Sequence, residues 1–211
     1  MIEGQRPKEP NQRVLRIGID IDDVVSDHFK NVVSGFNTKF GTSFTLEDIS
    51  SFYFLESVNV GAKEERLRLL RQLYSDMGTL FDYAQPIDRS VEIVRQLTSD
   101  AHEVHFISSR QVDILGRTVK WLTENGFPAT EMNVHLRKSQ NQDAVQFKVQ
   151  KSKDLGLNVV IEDDSRVAAL LDITVILLDY AWNRDIDSQD VLRASSWEEI
   201  YLHIQRLSNE V

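Results

Sequence analysis

The sequence predicts an α/β fold: a doubly wound parallel sheet with a small helical unit inserted after the first strand. Short apolar runs alternate with helical patterns of ten residues or so, which is the signature of crossover units and a parallel sheet covered on both faces. Several of these runs end in acidic or hydroxyl residues. One stretch, residues 26–87, breaks the alternation, being helical in pattern and rich in Phe and Tyr.

The elements follow in order. Val14 to Asp20 is an apolar run ending in carboxylates, read as a buried first strand. Inside the insertion, Thr45-Leu46-Glu47-Asp48 has the form of a helix start, and Lys63 to Met77 repeats Leu67, Leu70 and Leu73 at helical spacing. The alternation then resumes with a helix at Arg89 to Leu97, a strand at Glu103 to Ile107 and a helix at Val112 to Glu124. Next come a strand at Asn133 to Leu136, a helix at Asp143 to Leu155 and a strand at Asn158 to Ile161. A helix at Arg166 to Leu171, a strand at Thr174 to Leu178 and a covering helix at Trp197 to Leu207 complete the reading. Gly126 with Pro128, and Gly156, supply the helix stops. We therefore expect a loose leader over 1–12, a core from 13–25 and 88–211, and a helical subdomain over 26–87.

Composition removes several function classes. A formal net charge of −9 argues against binding a nucleic-acid polymer or an anionic membrane, since both need a basic surface. With no cysteine there are no disulfides, thiolate nucleophiles or cysteine zinc sites, which suits a cytoplasmic protein. The apolar runs are too short to span a bilayer, and Met1 to Gln12 lacks the apolar core of a signal peptide. The five histidines show no His-x-x-x-His pattern, and no glycine-rich phosphate or dinucleotide loop is present.

Ligands of open parallel sheets bind beyond the carboxyl ends of the strands, so the polar residues there are the candidates. They are Asp20 and Asp22 after the first strand, Ser108, Ser109 and Arg110 after the second, and Glu162, Asp163 and Asp164 after the fourth. Lys148 lies on the helix before that fourth strand. Clustered carboxylates repel one another unless a cation neutralises them, and hard oxygen ligands suit Mg2+, with Asp20 and Asp163 as its candidates. Serine hydroxyls and a lysine grip phosphate, and a carboxylate can be the nucleophile of phosphoryl transfer. Asp22 points to the same side of an extended chain as Asp20, as an acid and base should. Blander readings stand beside these. Ser108 and Ser109 can cap a turn, Asp164 can cap the next helix, and Lys151 and Lys153 compete with Lys148. His28 and Phe29 are pocket candidates that equally suit a core.

Ile17-Gly18-Ile19-Asp20-Ile21-Asp22-Asp23-Val24-Val25, Phe106-Ile107-Ser108-Ser109-Arg110, Lys148 and Val159-Val160-Ile161-Glu162-Asp163-Asp164 together resemble the four motifs of the haloacid dehalogenase (HAD) superfamily phosphatases. The insertion and Ala181-Trp182-Asn183-Arg184 resemble the 5'(3')-deoxyribonucleotidase group and its bacterial relatives. Ala181 departs from that group's proline, and Asp23 stands where most of the superfamily has glycine. The resemblance implies a Rossmann-like HAD core with a helical cap and a phosphomonoesterase acting through an aspartyl-phosphate on Asp20, with Asp22 as acid and base. It implies Mg2+ held by the Asp20 carboxylate, the Asp22 backbone carbonyl and Asp163, and phosphate held by Ser108, Ser109 and Lys148; spacing to Gly156 favours this lysine. Glu162, Asp164, Arg110, His28 and Phe29 are left as supporting or pocket residues. The expected substrate is a nucleoside monophosphate. The alternatives are a sugar phosphate or similar metabolite, and, in another class, a non-catalytic HAD-fold binding module.

Overall fold

The protein is described from a computed structural model covering residues 13–75, 82–186 and 188–209. The 1–12 leader and the end of the Lys63 to Met77 reading lie outside the described residues.

Six strands, β1 (Arg16–Ile19), β2 (Glu103–Gln111), β3 (Val134–Arg137), β4 (Val159–Glu162), β5 (Thr174–Leu178) and β6 (Val191–Ala194), form one sheet in the order β3-β2-β1-β4-β5-β6. Every pairing is parallel. Alternate residues of one strand serve opposite faces, which is why the strands read as continuous apolar runs. Ile17, Ile19, Phe106, Ile161 and Ile176 join one core cluster, whereas Ile107, Val160, Val175 and Leu177 join another. The first is closed by α4 (Ser90–Ser99), α5 (Leu115–Glu124) and α8 (Trp197–Asn209), through Val94, Leu122, Trp197 and Ile200. The second is closed by α6 (Ala144–Asp154) and the single turn α7 (Ser165–Ala168), through Phe147, Val149 and Val167. Gly18 faces this second layer, and a Cβ there would lie 2.5 Å from Leu157 Cδ1.

The stretch between β1 and α4 carries α1 (His28–Phe40), α2 (Phe54–Ser57) and α3 (Lys63–Ser75). Its apolar residues, among them Phe29, Val32, Phe36, Ile49 and Phe54, make a third cluster that includes Trp182. Its outgoing and returning segments are tied side by side: Asp27 N donates to Gln85 O at 2.9 Å and Ile87 N to Val25 O at 2.9 Å.

Three expectations need correction. Val191–Ala194, assigned no element above, is a parallel edge strand paired with β5. β2 runs to Gln111, past the expected Ile107, because its polar end is buried by partners across the site. The helix expected over Arg166 to Leu171 is the short turn α7, which starts one residue earlier.

Candidate active site

Strand order reverses between β1 and β4, and that crevice is where an open α/β sheet leaves two strand ends uncovered by crossing helices. Asp20 follows β1 directly, its N–H donating to Ile161 O at 3.0 Å, so that the β1 end and the β4 end are locked together. Carboxylate oxygens of Asp20, Glu162 and Asp163 all lie within 4.8 Å of one another, and all three residues are buried. Lys148, reaching from α6, sets Nζ 2.9 Å from Asp20 Oδ2 and 2.6 Å from Glu162 Oε1. Glu162 Oε2 in turn accepts the Asp163 N–H at 3.0 Å. Asp163 Oδ2 accepts from Trp182 Nε1 at 3.0 Å, and its carbonyl from Asn183 Nδ2 at 2.8 Å.

Burial raises the Asp20 carboxyl well above its ordinary range, Glu162 adds to the rise, and Lys148 offsets part of it. Burial likewise raises Asp163, with Asp20 and Asp23 reinforcing it. Three carboxylates thus share a buried site with one ammonium, and Asp20 Oδ1 is buried without a hydrogen-bond partner. An orphaned carboxylate oxygen beside surplus negative charge is the chemistry a hard divalent cation relieves, so the donor set fits magnesium.

The second half of the site comes from the end of β2. Ser108 pairs with Leu136 and Gln111 with Arg137, so Ser109 and Arg110 are two extra residues in β2. Such irregularities re-aim side chains next to active sites. Ser109 O is taken by Arg137 Nε at 2.6 Å. Arg110 turns onto Asp22, with Nη2 2.6 Å from Oδ1 and Nε 3.0 Å from Oδ2. Ser108, fully buried, donates its hydroxyl to Asp22 Oδ2 at 3.4 Å and accepts the Arg110 N–H at 3.2 Å. Burial would raise the Asp22 carboxyl, but the Arg110 guanidinium and then His28 outweigh it, and the net direction is down.

A cavity of about 420 Å³ opens over these groups. Its lining combines the acidic residues Asp20, Asp22 and Asp163 with Lys148, Arg110 and Arg137, and with the aromatic rings of Phe29, Phe52 and Trp182; Ser109 and His28 line it too. Of the residues expected from sequence, Ser108 and Glu162 are not on its wall and lie behind it. Asp164 reaches the wall but its carboxylate is committed, capping α7 through the Arg166 N–H at 3.0 Å and pairing with Arg166 Nη2 at 2.8 Å. The Asp22 carboxylate is turned to Arg110 and stands apart from the three-carboxylate group.

Arg137, Arg166 and Gln140 line the cavity and were missed as site residues in the sequence. Arg137 ends β3 and was open to the same strand-end rule that found Asp20 and Ser108. Arg166 sits over the Phe52 ring, 4.0 Å from its centroid, and its Nη1 donates to Tyr53 Oη at 2.7 Å. No local pattern marks that long-range contact.

Over residues 13–208 the chain matches the family described as 5' nucleotidase, deoxy (pyrimidine), cytosolic type C protein. A nucleotidase of Clostridium acetobutylicum is 24% identical over 196 residues, an alignment covering 92% of this chain and 95% of that protein. Among solved structures, a haloacid dehalogenase-like family hydrolase from Xanthomonas campestris is similar with a TM-score of 0.57 at 15% identity, covering 93% of this chain and 97% of that one. A haloacid dehalogenase-like family hydrolase from Streptococcus pneumoniae reaches a TM-score of 0.63 at 14% identity, covering 91% and 99%. At these identities the two structures speak to the fold.

Proposed function

Since this chain belongs to the 5' nucleotidase, deoxy (pyrimidine), cytosolic type C family and is a phosphoric monoester hydrolase of the HAD superfamily, we propose that it cleaves nucleoside monophosphates through an aspartyl-phosphate on Asp20. The observation that carries this reading is Asp20 itself: a buried carboxylate at the sheet's switch point, with one oxygen on Lys148 and the other without a donor.

Asp20 attacks phosphorus as the bond from phosphorus to the 5' oxygen breaks, and Asp22, entering the step in its protonated form, passes that proton to the oxygen. Asp22 then takes a proton from water, which attacks the phosphoryl group, releasing inorganic phosphate and restoring Asp20. Lys148 and Ser109 hold phosphoryl oxygens during both steps, while Ser108, expected from the sequence to join them, is buried off the cavity wall with its hydroxyl on Asp22. Asp20, Asp163 and the Asp22 carbonyl are the residues that would hold Mg2+, with Glu162 braced behind them by Lys148 and the Asp163 N–H. When bound, the ion supplies charge neutralisation on the phosphoryl oxygens.

The substrate assignment draws on the family and on the cavity, whose volume suits a nucleotide and whose Phe29, Phe52 and Trp182 offer aromatic surface to a base. The helical insertion over 26–87 is read as a cap over that cavity, hinged where Val25–Asp27 runs beside Gln85–Ile87. A cytoplasmic location accords with the absence of cysteine.

The test is phosphate release from a panel of ribo- and deoxyribonucleoside monophosphates, sugar phosphates and a generic aryl phosphate, with Mg2+ present. Nucleotides should be turned over best, and Asp20→Asn should abolish release from every substrate while the far-ultraviolet circular dichroism stays unchanged. A sugar phosphate preferred over all nucleotides would reject the substrate assignment, and an active Asp20→Asn would reject the nucleophile.

A further inference from the structure

We infer that Arg110 is a positioning residue for this reaction, clamping the carboxylate of Asp22 at two points so that its oxygens are presented in one orientation. The inference rests on the reading above, in which Asp22 exchanges protons with the leaving oxygen and with water.

Asp22 lies beyond β1, in an isolated bridge with Ser26 that holds its backbone and leaves its side chain to be fixed by other contacts. Both of its carboxylate oxygens are engaged by Arg110, at 2.6 Å and 3.0 Å, in the forked geometry a guanidinium supplies and an ammonium does not. Ser108 Oγ, at 3.4 Å, is a weaker hold. The two residues are unequally exposed: the Arg110 side chain is 2% accessible and that of Asp22 is 20%. The clamp is therefore deep, while the carboxylate it grips faces the cavity.

Arg110 is itself fixed on several sides. Its N–H is held by Ser108 Oγ, and its Nη1 lies 3.4 Å from Thr118 Oγ1 of α5. The two-residue offset that carries it is pinned where Arg137 takes the Ser109 carbonyl. A chain of contacts thus runs from β3 through the β2 irregularity to Asp22, three strands contributing to the aim of one carboxylate. Misplacing a reacting group by about 1 Å costs on the order of a hundredfold in rate, so an unclamped Asp22 should slow the chemical steps while leaving binding largely alone.

The experiment compares wild type with Arg110→Ala, Arg110→Lys and Arg110→Gln. For Arg110→Ala we expect kcat to fall about a hundredfold with KM within about threefold of wild type. Arg110→Lys should recover only part of the loss, and millimolar guanidinium should restore turnover to Arg110→Ala, an effect that a purely structural role would not show. A raised KM at unchanged kcat would overturn the inference by making Arg110 a direct phosphate ligand. Unchanged kinetics, or a kcat loss that guanidinium does not repair in a folded variant, would overturn it too. Should Arg110→Ala not fold, the split between kcat and KM is read from Arg110→Gln, and Arg110→Lys must again lie between it and wild type. Failure of the underlying reading looks different: wild type would release no phosphate, or Asp22→Asn would work as well as wild type.

Discussion

At the residue scale, the oddest position of the first motif finds a physical account. Asp23 occupies the left-handed region at φ 60°, where a glycine is the easy choice and Asp or Asn the tolerated one. In return its Oδ1 accepts the buried N–H of Phe29 at 2.7 Å, fastening the start of α1 to the end of β1. Asp23→Ala keeps the backbone strain and orphans that N–H, so it should destabilise by about 2–3 kcal/mol, whereas Asp23→Asn retains an acceptor and should stay within about 1 kcal/mol of wild type. Urea denaturation of the three proteins checks the order, and an alanine variant as stable as wild type would refute it. Gly18 is constrained by space instead. Its hypothetical Cβ meets Leu157 at 2.5 Å, so Gly18→Ala should cost about 1–3 kcal/mol by the same measurement.

At the scale of elements, His105 on β2 and His135 on β3 lie side by side, with Nδ1 of one 3.2 Å from Nε2 of the other. Burial first, then His105 and Lys151, lowers His135 to about 4. The folded state therefore resists a proton that the unfolded chain accepts below about pH 6.5, so stability is full above that value and declines as pH falls toward 4. Because His135 is only half-buried, the loss should be about 1 kcal/mol between pH 7.5 and 5, and His135→Gln should flatten that slope in urea titrations. Elements were legible in the sequence where physics acts locally. The centres of β1, β2, β4 and β5 are apolar because both faces of the sheet are covered, and Asp20, Ser108 and Asp163 follow them. β6 was not legible: Val191, Leu192 and Arg193 are only half-buried at the sheet edge, and four residues carry no period. Nor was the end of β2, since Ser108-Ser109-Arg110-Gln111 reads as a loop until Asp22 and Arg137 arrive from other elements to satisfy it.

At the scale of the whole molecule, the site concentrates negative charge in a protein already carrying a net charge of −9. A cation that binds only the folded chain stabilises it by about 2.7 kcal/mol at a hundred times its Kd, which for a chain of this size raises Tm by about 5–10 °C. Adding Mg2+ should produce that rise and a chelator should reverse it. Asp163→Ala should lose it, and an unchanged wild-type Tm would contradict the site as drawn. The distribution of the three tryptophans gives this ion an optical signal. Trp121 and Trp197 are sealed in the first core layer, their indoles donating to Ala84 O and Val24 O, whereas Trp182 stacks 4.1 Å from Tyr180 and donates to the Asp163 carboxylate. Excited at the red edge of the indole band, the protein should report occupancy of the acidic cluster through one fluorophore. A magnesium titration of Trp182→Phe should leave the emission flat, with the other two indoles as an internal standard.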